Sequence, residues 1–120
     1  MRSLIGLLAV YFISAGALAD EGEALTREQA LSTVPGSTMS RIGQNGGVRE
    51  WTNGADGTAT VSRLPKPGSK QGVRKAAARW SIADDGRYCL DEDWSTEQGG
   101  PLHWCSRIAQ DPDGRLRLLH

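Results

Sequence analysis

The stretch from Asp85 to Arg107 holds most of the side chains that could do chemistry. His103 is one of two histidines in the chain, and Asp91 lies close enough in sequence for a hairpin to bring the two together. An imidazole beside a carboxylate is the smallest acid–base pair. Arg87 and Arg107 flank the same stretch, and guanidinium forks suit carboxylate or phosphate groups. Trp94 stands in the polar segment 93–101, where an aromatic ring can either fold over the mouth of a small barrel or anchor a partner. Cys89 and Cys105 complete the group.

Other chemistry is not indicated. The chain has no Gly-x-Ser-x-Gly elbow, His-Glu-x-x-His helix, P-loop or dinucleotide fingerprint. The Asp111-Pro-Asp113-Gly114 segment has the start of a calcium loop but lacks its further carboxylates, so it reads as a turn. His103 and His120 together make an incomplete metal site. No metal or cofactor is expected.

The elements that must position these groups are short. Thr26 and Gln29 form a capping-box pattern, which predicts a helix over 27–33, and Pro35-Gly36 ends it. Beyond it, runs rich in Val, Ile, Thr and Trp alternate with glycine-bearing turns, the pattern of antiparallel strands. Strands are predicted at 38–43, 47–53, 58–63, 73–83, 87–92, 102–109 and 115–119. Asp56-Gly57, Asp85-Gly86 and Asp113-Gly114 recur at nearly equal spacing and read as tight primed hairpin turns. The expected fold is all-β, a small antiparallel meander closed as a barrel or folded as a sandwich, preceded by one short helix. The segment 65–72, with two prolines and two glycines, reads as an exposed loop.

Alternation along the strands places the chemistry on faces. Ala76, Ala78, Trp80 and Ile82 share one face, with Ala77, Arg79 and Ser81 on the other. Tyr88 and Leu90 oppose Cys89 and Asp91, and Leu102, Trp104 and Ile108 oppose His103, Cys105 and Arg107. If these two strands pair, one register sets Cys89 opposite Cys105 and Leu90 opposite Trp104, so that cross-link and packing agree. A structural disulfide over such a loop contributes about 3 kcal/mol on the chain-entropy account. The same register sets Asp91 opposite His103 and Arg87 opposite Arg107. Two opposed arginines repel unless something anionic lies between them. Either an aspartate from a nearby turn (Asp85, Asp111 or Asp113) or a bound anion fills that place.

Charge and the first residues bear on compartment and partner. Fourteen basic residues against 14 acidic ones give no footprint for nucleic acid. Arg2 precedes an uncharged, mostly apolar run from Leu4 to Leu18, and Ala17-Leu18-Ala19 offers a small-x-small cleavage site. This pattern predicts a signal peptide at 1–19 and a single mature domain at 20–120, periplasmic or secreted, with no transmembrane span after cleavage. An oxidising compartment suits the two cysteines, which would reinforce a thin core. Within the mature chain, charge is segregated. Arg63, Lys66, Lys70, Arg74, Lys75 and Arg79 form a basic block without an acidic residue, and 84–97 is acidic apart from Arg87. Adjacent strands would bring the blocks together for mutual neutralisation, or the basic block would meet an acidic partner.

The chain resembles an uncharacterised family of small secreted bacterial proteins, a domain of unknown function. The resembling pieces are the short helix leading to Gly36-Ser-Thr38-Met-Ser40, then Asp56-Gly57-Thr58, then Arg79-Trp80-Ser-Ile82 with Asp85-Gly86-Arg-Tyr-Cys89-Leu90, and Trp104-Cys105-Ser-Arg-Ile108. The resemblance implies a periplasmic β-rich domain with no established catalytic residues. The expected function is non-catalytic binding of an unidentified envelope component, small ligand or protein, with Trp94, His103, Arg87, Arg107 and Asp91 as candidate contacts. Inhibition of a protease or lysozyme, through residues 20–25 or 93–101, is one alternative. A small envelope enzyme using His103 is the other.

Overall fold

The structure, a computed structural model, describes residues 23–119. The signal-peptide expectation and His120 lie outside these residues. The helix α1 runs Arg27–Thr33, and both bonds of the capping box form: the Gln29 amide donates to Thr26 Oγ1 and the Thr26 amide donates to Gln29 Oε1. Ala30 and Val34 turn inward and join the core.

Eight strands follow: β1 Thr38–Ile42, β2 Val48–Asn53, β3 Thr58–Leu64, β4 Arg74–Ile82, β5 Tyr88–Glu92, β6 Leu102–Ser106, β7 Ile108–Gln110 and β8 Leu116–Leu118. The first six pair with their chain neighbours in one antiparallel meander curled into a half-barrel, and β7 and β8 form a separate two-stranded sheet. Among the described residues the fold is therefore all-β with one short helix, as expected. One expectation is corrected: the strand at 102–109 is two strands. The chain breaks at Arg107, whose carbonyl accepts from the Leu119 amide, while Ser106 Oγ donates to the Leu119 carbonyl. That bend moves the chain from the large sheet onto the small one. Strand β8 lies beside β1, so the β7–β8 hairpin spans from the β6 edge toward the β1 edge.

The hairpin turns also differ from expectation. Among the described residues glycines alone have positive φ, so the aspartates are not in primed turns. Each turn is a three-residue connection ending on a left-handed glycine: Gly57 at φ 90°, Gly86 at 93° and Gly114 at 91°. The preceding aspartate keeps negative φ and accepts the amide two residues on, from Thr58, Arg87 and Arg115. A fourth copy, at Asn45-Gly46, has Asn45 accepting the Gly47 amide. The Gly86 turn is docked as well as tight. A Cβ at Gly86 would stand 3.1 Å from the Arg27 backbone nitrogen and 3.2 Å from the Leu25 carbonyl.

Alternation divides the sheet into two faces. The inner one carries Met39, Trp51, Val61, Ala76, Ala78, Tyr88 and Leu90, all buried, with Ile108, Leu116 and Leu118 packed against it from the small sheet. Asn53 is buried among them, accepting from the Tyr88 hydroxyl and donating to Ser37 Oγ. Burial pushes the Tyr88 phenol well above its ordinary range.

Candidate functional site

Strand register builds a charged row on the outer face. Thr58 pairs with Arg79, Arg79 with Asp91, and Asp91 with His103, so four strands each contribute one side chain. The β5–β6 register sets Cys89 opposite Cys105, Leu90 opposite Trp104 and Asp91 opposite His103. The cysteines form a disulfide, which cross-links the two strands next to the row. His103 Nδ1 meets Asp91 Oδ1 at 2.5 Å, and His103 Nε2 lies 3.7 Å from the Cys105 sulfur.

A groove of about 680 Å³ runs over this face, a volume in the usual range for small-ligand sites. Its floor is small side chains, Thr58, Thr60 and Ala77, because strands β3 and β4 put nothing larger outward there. Arg79, Asp91 and His103 line one part, and Pro101 adds an apolar wall. The Asp91 and His103 side chains are each 62% exposed. Such an arrangement can bind. The guanidinium of Arg79 and the second ring nitrogen of His103 offer donors, Asp91 offers an acceptor, and Ala77 with Pro101 offers apolar contact.

The remaining sequence candidates lie elsewhere. Arg87 and Arg107 converge on Asp85 at the β4–β5 turn. Arg87 Nε is 2.9 Å and Arg107 Nη2 is 3.7 Å from Asp85 Oδ2, and Arg107 Nη1 donates to the Asp85 carbonyl. The anion between the two arginines is thus the turn aspartate, the first of the two readings offered by the sequence. The Arg87 amide, with the Arg87 and Arg107 guanidinium groups adding to it, holds the Asp85 carboxyl below its ordinary range.

Of the two readings for Trp94, the structure shows the ring folded inward rather than exposed as an anchor: it is buried, and its Nε1 donates to Glu92 Oε1 at 2.6 Å. The Arg63 guanidinium lies 3.8 Å from the ring centroid, and Arg63 Nη1 donates to the Gln98 carbonyl at 2.9 Å. The loop 93–101 folds back because its indole finds an acceptor inside the half-barrel. A 3-10 helix at Thr96–Gln98 and left-handed glycines at 99 and 100 complete the return.

The acceptor, Glu92, is the residue the sequence reading missed. Its side chain is fully buried and takes Arg49, Trp94 Nε1 and Trp104 Nε1. Trp104 packs edge-on to Trp51 at 5.5 Å between ring centroids, closing the cage. A signal was present: Glu92 has the parity of Tyr88 and Leu90, and Arg49 that of Trp51. Arg79 was also missed as a site residue, although its parity put it on the face of Asp91. Among the described residues no ion pair joins the basic block 63–79 to the acidic block 84–97, although strand register sets Arg79 beside Asp91.

Among the described residues no helix is long and apolar enough to cross a membrane. Comparison with protein-family models, curated proteins and solved structures found no match to this chain.

Proposed function

We propose that this is a non-catalytic binding protein of the periplasm or cell exterior, and that its ligand lies in the outer groove across β3 to β6. The observation that carries the reading is the row Arg79, Asp91, His103 beside a floor of small side chains, all on paired strands rather than mobile loops. A rigid site of this kind loses little entropy on binding. The occupant is a small molecule or chain segment with a hydrogen-bond-accepting or acidic group at Arg79 and an apolar part on Ala77 and Pro101. Acid–base catalysis fits less well, because His103 and Asp91 hold each other in solvent rather than in a desolvated pocket. The disulfide and the leader pattern at 1–19 support export, and the resemblance to small secreted bacterial proteins supports the same reading.

A second reading, enzyme inhibition, is favoured by the loop 93–101. Its buried Trp94 and the bond from Arg63 to Gln98 hold Ser95 to Glu97 in a fixed exposed arc. Affinity capture from envelope extract tests both. Immobilised wild-type chain is compared with Ala77→Trp, which fills the groove, and with Glu97→Arg, which changes the arc. Material lost with Ala77→Trp alone supports the groove. An enzyme lost with Glu97→Arg alone supports inhibition and removes the groove reading.

A further inference from the structure

The inner face carries a second concentration of charge, unrelated to the groove. Register pairs Arg41 with Arg49, Arg49 with Arg63, and Arg63 with Arg74, so four arginines stand side by side across β1 to β4. By alternation they share the face of Met39, Trp51, Val61 and Ala76. Like charges directly opposed across strands repel. Arg49, Arg63 and Arg74 are only partly exposed, so water screens them incompletely. Burial first, then the charges of Arg49 and Arg74, holds Arg63 below its ordinary range, with Glu92 acting in the opposite sense.

The hydrogen bonds of the row are incomplete. Glu92 takes Arg49, and Arg63 gives one N–H to the Gln98 carbonyl. Among the described residues no carboxylate other than Glu92 forms an ion pair with the row. The Nε groups of Arg49 and Arg74 are buried without a hydrogen-bond partner. Such donors are costly to leave unmade. Lys66 and Lys70, in the loop between β3 and β4, add positive charge near this end of the sheet.

We propose that the inner arginine row is a binding site for a tetrahedral dianion of the phosphate type, held by Arg49, Arg63 and Arg74. Three guanidinium groups against one carboxylate leave two positive charges uncompensated, the charge such a group supplies. Its oxygens accept from guanidinium forks in the bidentate geometry that arginine favours. The site lies on the opposite side of the sheet from the groove and stands whether or not the groove is occupied.

Thermal unfolding of the full chain tests this in inorganic phosphate or in chloride at matched ionic strength, at a mildly alkaline pH where phosphate is a dianion. Phosphate is expected to raise the midpoint saturably and chloride to leave it unchanged. Arg74→Gln should weaken the phosphate response about tenfold or more. Without phosphate the same variant should unfold no earlier than wild type, because it removes a repelling charge. Arg63→Gln should lose the response too, and Arg79→Gln, on the outer face, should keep it. An equal rise in chloride, no response in wild type, or a phosphate response surviving in both Arg63→Gln and Arg74→Gln would overturn the site.

Discussion

Asp91 and Glu92 are neighbours on one strand, each paired with a basic side chain, and they live in different solvents. Asp91 points outward, is 62% exposed and holds His103. Glu92 points inward, has no exposed side-chain surface and takes donors from Arg49, Trp94 and Trp104. One step along a strand reverses the face, and with it the dielectric in which the charge acts. An exposed pair contributes little to folding, so the Asp91–His103 chemistry is free to be spent on a ligand. Removing one member of a buried pair strands the other, so the Glu92 cluster holds β2, β5, β6 and the 93–101 loop together.

The largest effect is expected from breaking the inner side. Glu92→Ala should lower the unfolding free energy by about 3 kcal/mol or more in urea titration, since it leaves the half-buried Arg49 guanidinium and two indole N–H groups unpaired. The disulfide is the exception on the outer side. Cys89→Ser with Cys105→Ser should cost about 3 kcal/mol, read as a shift in the urea midpoint that reductant reproduces in wild type.

Tyr88 sharpens the comparison through pH. Its folded-state pKa is raised by burial, so the stability it contributes is complete below the ordinary phenol value of 10.0 and is lost as pH rises beyond it. Alkaline unfolding should steepen in that window and flatten in Tyr88→Phe, which at neutral pH costs about 1 kcal/mol or more by orphaning Asn53 Oδ1. The smallest effect is on the outer row. Asp91→Asn should change stability by about 0.5 kcal/mol or less while reducing capture of the groove ligand.

Much of the outer face was legible in the sequence, because three independent demands agreed on one register. Pairing Cys89 with Cys105 also put Leu90 on Trp104 and Asp91 beside His103. The helix was legible from Thr26 and Gln29, whose local bonds need no tertiary context. The inner cluster was not, because Arg49 and Glu92 are 43 residues apart and meet only when the six-stranded sheet curls. The polar segment around Trp94 does not by itself decide between its two readings, and only the acceptor supplied by Glu92 explains its return. The charge blocks are divided between the faces for a related reason. Residues contiguous in sequence alternate in face, so Arg63 and Arg74 turn inward while Lys75 and Arg79 turn outward.

The most direct measurement is a pair of double-mutant cycles in urea unfolding, one on Arg49 and Glu92 and the other on His103 and Asp91. Each cycle joins a carboxylate to a basic side chain, one pair buried and one exposed, so the inner coupling energy should be about 2 kcal/mol or more and the outer about 0.5 kcal/mol or less. Equal couplings, or the larger one at Asp91–His103, would contradict the account that the buried Glu92 cluster, and not the exposed row, holds the sheet together.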